Sequence, residues 1–224
     1  MEKLMYLLDR ANSPGALQQN LSSDIIPALQ KTGASNIVLN MADLDKAISA
    51  AAPQRIAGNW QDLGAVVSLW VDSVDGHKEL ETILSKSGCE LAGYLVTESV
   101  PQAYEQNWKP NERRPGLTQF TAHGKPEHIG ERAFYRNWGE HTELSFKLHP
   151  LRWSYVRNAV VRSLSDSAPS YRALVMEHFR EANDFTDECR YFGDPATVQK
   201  MYEELPGFCD FGSMMTGAMS EYQY

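Results

Sequence analysis

One order of elements occurs twice in this chain, and that repetition constrains the fold more than any other feature. Residues 3–9 form a short apolar run fit for a buried strand. Asn12-Ser13-Pro14-Gly15 breaks it, with Ser13 and Pro14 reading as an N-cap and a first helical proline. Leu17, Leu21, Asp24, Ile25 and Leu29 then recur at helical spacing. Pro27 predicts a kink or an early stop, and Gly33 a C-cap. β-rich runs follow at 35–41 and 65–71, separated by an alanine-rich stretch, 47–52, that Pro53 closes. A helix over 76–87, capped by Gly88, and a strand over 89–96 complete the order β-α-β-β-α-β.

Prolines 101, 110 and 115 mark 101–116 as a linker, and the order then recurs. A strand is expected over 117–122 and a helix over 131–147, the latter with Phe134, Trp138, His141, Ser145 and Leu148 on one face. Strands over 153–164 and 171–179 flank a turn bearing Asp166, Ser167 and Pro169. Helical pieces over 181–192 and 195–205 meet at Gly193-Asp194-Pro195, and a strand over 213–224 closes the chain. The repetition is one of pattern and not of letters. The expected class is α+β: two tandem ferredoxin-like halves, 1–100 and 117–224, joined by 101–116. Each half gives an antiparallel sheet with helices on one face. Packing the two bare faces together gives an eight-stranded barrel and leaves room for a homodimer.

Composition narrows the function. The formal net charge is −8, which argues against nucleic acid as a partner. No apolar stretch is long enough to span a membrane, and Asp9-Arg10 arrives too early for a secretory signal. Three scattered cysteines, Cys89, Cys189 and Cys209, fit a reducing cytoplasm. Residues 109–172 nevertheless hold eleven basic and six acidic residues, with four of the six histidines. That local excess reads either as surface arginines or as a pocket for a small anion.

The text from Trp138 to Val160 (WGEHTELSFKLHPLRWSYVRNAV) resembles the EthD-like branch of the dimeric α/β-barrel superfamily. The resemblance continues at Tyr171, Glu177-His178-Phe179, Asp184-Phe185-Thr186, Tyr191-Phe192-Gly193 and Met219-Ser220-Glu221-Tyr222, and covers about 130–224. It implies a ferredoxin-like dimeric barrel with a pocket for a small aromatic or polyketide-like compound. Relatives in the superfamily include cofactor-free monooxygenases, isomerases, cyclases, lyases and decarboxylases, so the resemblance settles fold better than reaction.

His141 is the first candidate for chemistry. It shares a helix face with Phe134 and Trp138, where a buried imidazole can serve as general acid or base. The alternative is a core histidine satisfied by a carbonyl. Strand alternation puts Trp153, Tyr155, Arg157, Ala159 and Val161 on one face. Arg157 there needs an anion, from Glu177, Glu143 or a ligand carboxylate. His178 shares an apolar strand face with Leu174 and Met176. His149 either lines the pocket or complements a helix C-terminus. His123 ends a strand at the pocket mouth, and Tyr155 and Tyr171 offer phenols or plain core. No HxH, HxxxH or HExxH spacing suggests a metal, and no GxGxxG or P-loop a nucleotide.

The expectation is a cofactor-independent lyase, a non-oxidative decarboxylase of small aromatic carboxylates. Arg157 would be its clamp, His141 its proton donor, and His178 or Tyr155 the phenol-binding group; Trp138, His123, His149 and Tyr171 would contact substrate. The alternatives are a cofactor-free monooxygenase or isomerase/cyclase, and a non-catalytic barrel that binds a small hydrophobic acid.

Overall fold

A computed structural model describes residues 1–9, 13–55 and 62–224, with 53–55 described by backbone alone. The break expected at Asn12 and the side chain of Pro53 lie outside the described residues. The first half runs β1 (Glu2–Asp9), α1 (Pro14–Asn20), α2 (Ile26–Lys31), β2 (Ser35–Ala42), α3 (Lys46–Arg55), β3 (Leu63–Val71), α4 (His77–Leu84) and β4 (Leu91–Gln102). The second runs β5 (Leu117–Gly124), α5 (Glu131–Leu148), β6 (Arg152–Ser163), β7 (Ala173–Phe179), α6 (Ala182–Thr186), α7 (Glu188–Tyr191), α8 (Pro195–Glu204) and β8 (Asp210–Gln223).

The eight strands close into one antiparallel barrel in the order β1-β3-β2-β8-β5-β7-β6-β4. Each half supplies four neighbours in the same internal order, β4-β1-β3-β2 and β8-β5-β7-β6, the ferredoxin-like pattern twice. The halves meet at two seams, β2 with β8 and β4 with β6. The expected α+β barrel is therefore what one chain builds, without a second copy. β4 outruns its expected end at 96 because it serves both halves. Its first part pairs with β1, and the stretch from Tyr94 to Gln102 pairs with β6.

Pro27 neither stops nor breaks its helix. A π-turn, Leu21–Ile25, leads straight into α2, and Pro27, which has no N–H to give, sits just after that widened turn, where the chain stays helical.

Alternation along the strands makes two kinds of core. Met5, Val66, Tyr94, Phe120, Leu174, Met176 and Met219 fill the barrel. On the outer face of the first half, Leu17, Leu21, Ile25, Leu29, Leu80 and Leu84 cover β1, β2 and β3. On the outer face of the second, Phe134 and Trp138 of α5 pack with Tyr155, Val175 and Phe208. Gly193 pins the junction of α7 and α8 to the end of α5. Its N–H donates to the Leu148 carbonyl at 2.8 Å, and a Cβ there would lie 2.2 Å from the Lys147 oxygen.

Candidate functional site

Between the outer face of the second-half sheet and the layer of α5 and α8 lies a cavity of about 370 Å³. Period-two alternation aims Gln119, Thr121 and His123 of β5 into it, with Tyr155 of β6, Val175 and Glu177 of β7, and Met214 and Thr216 of β8. From above, α5 and its C-cap contribute Trp138, His141, Ser145, Leu148 and His149, on the face that the helical spacing predicts. Tyr191, Phe192, Met201, Tyr202, Leu205, Cys209 and Phe211 close the sides. Five expected site residues thus meet around one space: His123, Trp138, His141, His149 and Tyr155.

Each of the three histidines is oriented by its Nδ1. His123 Nδ1 donates to the Gly124 carbonyl at 2.8 Å, and His149 Nδ1 to the Tyr191 carbonyl at 2.9 Å. His141 Nδ1 lies 3.3 Å from a carboxylate oxygen of Glu204. These oxygens only accept, so each Nδ1 carries the proton and each Nε2 keeps its lone pair. Burial lowers all three pKa values and carries His123 to about 4. The Glu204 hydrogen bond, with the charge of Glu177, works against burial at His141. Burial raises the Tyr155 hydroxyl to about 12, so it stays a neutral phenol.

The cation and the anion nearest the cavity neutralise each other. Arg152 Nη1 meets Glu177 Oε1 at 2.5 Å, and its other nitrogens donate to Gln102 and Ser145. Gln119 joins the second Glu177 oxygen at 3.3 Å and accepts from the Tyr191 hydroxyl at 2.8 Å. No Lys or Arg appears in the cavity lining among the described residues.

No protein-family model matches the chain, and no curated protein matches it in sequence. Solved structures do match in shape. An anthrone oxidase-like protein superposes with a TM-score of 0.61 at 9% identity, over 99% of this chain and 93% of that one. A proposed monooxygenase from Fusobacterium nucleatum subsp. nucleatum gives 0.56 at 6% identity, over 99% and 91%. This chain has the dimeric α/β-barrel fold. At such identities the likeness reaches the fold and not one branch of it.

Three expected site residues of this α/β-barrel lie away from the cavity. Arg157 stacks over Trp138, 4.0 Å from the ring centre, and donates to Thr142 at 2.5 Å. No carboxylate pairs with it among the described residues, because Arg152 holds Glu177. His178 lies across the sheet, on the barrel-interior face with Leu174 and Met176. There Nε2 donates to the Pro115 carbonyl at 2.7 Å, and Nδ1 meets Thr118 Oγ1 at 2.8 Å. It faces a separate space of about 190 Å³ at one barrel mouth, beside the ion pairs Lys3–Glu98 and Arg114–Glu221. Tyr171 packs inside the barrel, 6.0 Å from Tyr94 between ring centres.

The arginines that make 109–172 basic are largely spent on ion pairs. Arg113 holds Asp43, Arg114 holds Glu221, Arg152 holds Glu177 and Arg172 holds Glu131. The local positive excess therefore ties elements together and does not line the cavity. Two residues that sequence reasoning missed matter most here. Glu204 on α8 orients His141, and Thr216, 2% exposed, contributes a hydroxyl that has no hydrogen-bond partner among the described residues. Thr216 was legible as an outward position on β8, in step with Met214 and Ala218.

Proposed function

We propose that this protein is a cofactor-independent enzyme that oxidises a phenolic aromatic compound with O₂, using His141 as general base. The His141–Glu204 pair in an aromatic cavity carries the reading. A carboxylate on Nδ1 fixes the tautomer, orients the ring and stabilises the imidazolium that forms when Nε2 takes a proton. Trp138, Leu148, Phe192 and Leu205 give an aromatic substrate apolar surface to pack against beside that base. Deprotonation of an activated CH₂, or of a hydroquinone hydroxyl, gives an electron-rich anion that O₂ can oxidise directly; a hydroquinone passes two electrons and two protons to O₂, giving quinone and H₂O₂. For the CH₂ case, O₂ adds at carbon and one C–O bond remains as the new carbonyl. His141 returns its proton to the peroxide that forms; loss of the second C–H as a proton then makes the C=O bond as the O–O bond breaks, and the hydroxide released takes up that proton and leaves as water. The balance is R₂CH₂ + O₂ → R₂C=O + H₂O. Resemblance in fold to an anthrone oxidase-like protein is compatible with this chemistry.

Decarboxylation, the first expectation from sequence, needs a cation to hold the carboxylate. Arg157 is directed at Trp138 and Thr142, and Arg152 is held by Glu177, so among the described residues no free cation lines the cavity as a clamp. An oxygen electrode with 9-anthrone and 1,4-dihydroxynaphthalene tests the proposal. Enzyme-dependent uptake is expected, with one O₂ consumed per quinone formed from the anthrone. CO₂ release from aromatic acids without O₂ uptake would overturn it.

A further inference from the structure

We infer that the cavity is built for an un-ionised polyhydroxylated aromatic, one that brings several hydrogen-bond donors and no negative charge. The inference rests on reading this cavity as the substrate site, and it goes further by stating what the substrate must present.

Donor and acceptor counting carries it. Nδ1 of His123, His141 and His149 is committed to Gly124, Glu204 and Tyr191 respectively. A neutral imidazole with Nδ1 protonated can only accept at Nε2. No Nε2 of the three has a hydrogen-bond partner among the described residues, and all three rings line the same cavity. An independent observation points the same way. The Thr216 hydroxyl is buried in that lining and has no partner among the described residues. Leaving a buried hydroxyl unmatched is costly, and the three Nε2 atoms stand open to the cavity, so a ligand that donates hydrogen bonds completes the site.

Charge refines the class. The lining includes the Glu177 carboxylate and, among the described residues, no cation. A ligand carboxylate would exchange water for imidazole lone pairs, which the site makes unfavourable by repulsion as well as by desolvation.

The test uses one skeleton with three substituents: 2,6-dihydroxynaphthalene, 2,6-dimethoxynaphthalene and 2,6-naphthalenedicarboxylate, titrated calorimetrically near pH 7.5. The diol is expected to bind about tenfold tighter than the ether, the worth of one or two hydrogen bonds. The dicarboxylate is expected to bind more weakly than both. His149→Phe and Thr216→Val should each weaken the diol severalfold while leaving the ether unchanged. Thr216→Val, which keeps the side-chain shape, serves where His149→Phe does not fold. An ether or a dicarboxylate that binds as tightly as the diol overturns the inference, as does no diol binding at millimolar concentration. Diol selectivity without O₂ uptake upholds the inference and removes the oxidation reading.

Discussion

Arg152 and Glu177 meet at 2.5 Å across the floor of the sheet, the arginine side chain fully covered and the glutamate nearly so. The pair decides the electrostatics of the cavity above it. It uses the guanidinium of Arg152, and it holds the Glu177 carboxyl below its usual range against the opposing effect of burial. What remains for a ligand is a set of neutral groups, the three imidazole Nε2 acceptors and hydroxyls such as that of Thr216.

Breaking that pair leaves a buried guanidinium alone. Glu177→Gln should lower stability by about 3–5 kcal/mol in urea unfolding, the usual cost of removing one partner of a buried pair. The double variant Arg152→Met/Glu177→Leu should recover a large part of that loss. A Glu177→Gln protein as stable as the parent would show that the pair is not closed.

Arg157→Ala should lower stability by about 1 kcal/mol through the lost stacking on Trp138. Turnover should stay within about threefold of the parent, since Arg157 does not line the cavity. A fall of a hundredfold in kcat/KM would return the arginine to the role of substrate clamp.

Stability should decline as pH falls from about 6.5 towards 4. His123, His141, His149 and His178 all have folded pKa values lowered by burial. Above 6.5 these rings are neutral in both states and cost nothing. Below it the unfolded chain takes up protons that the folded one refuses, until the folded pKa is reached. For His123, from 6.5 to about 4, the loss amounts to about 3 kcal/mol. Urea unfolding at pH 7.5, 6, 5 and 4.5 measures it. Equal stability at 7.5 and 4.5 would show that the rings are solvated.

Gly193→Ala should destabilise the protein by about 1–3 kcal/mol, because the new methyl meets the Lys147 carbonyl at 2.2 Å. Movement of α8 would carry Glu204 away from His141, so kcat should fall with little change in probe affinity. Unchanged thermal unfolding would mean that the contact between α5 and the α7–α8 junction is loose.

The barrel was legible because its strands obey a period of two and its helices one of 3.6. The face of α5 bearing Phe134, Trp138, His141, Ser145 and Leu148 is the face that packs on the sheet. Partner choice was not legible. Alternation counted from Trp153 puts Arg157 on the helix side and leaves Arg152 out. A register shift between Arg152 and Ser154 turns Arg152 to that side instead, where it stacks 4.1 Å over Tyr155 and captures Glu177. Glu204 was invisible for another reason. It lies on a half-exposed helix end 63 residues from His141, and only the fold of α8 over α5 brings them together. His178 shows the limit of residue type: the same alternation that gives it apolar neighbours places it across the sheet from His141.

The central claim is that His141 takes a proton from bound substrate. The direct measurement is kcat/KM for O₂-dependent oxidation of 9-anthrone by the parent and by His141→Gln, with affinity for 2,6-dihydroxynaphthalene measured on the same samples. Loss of a general base predicts a fall of about 10²–10⁴ in rate with binding kept within about threefold. An unchanged rate in a folded His141→Gln protein would contradict the claim.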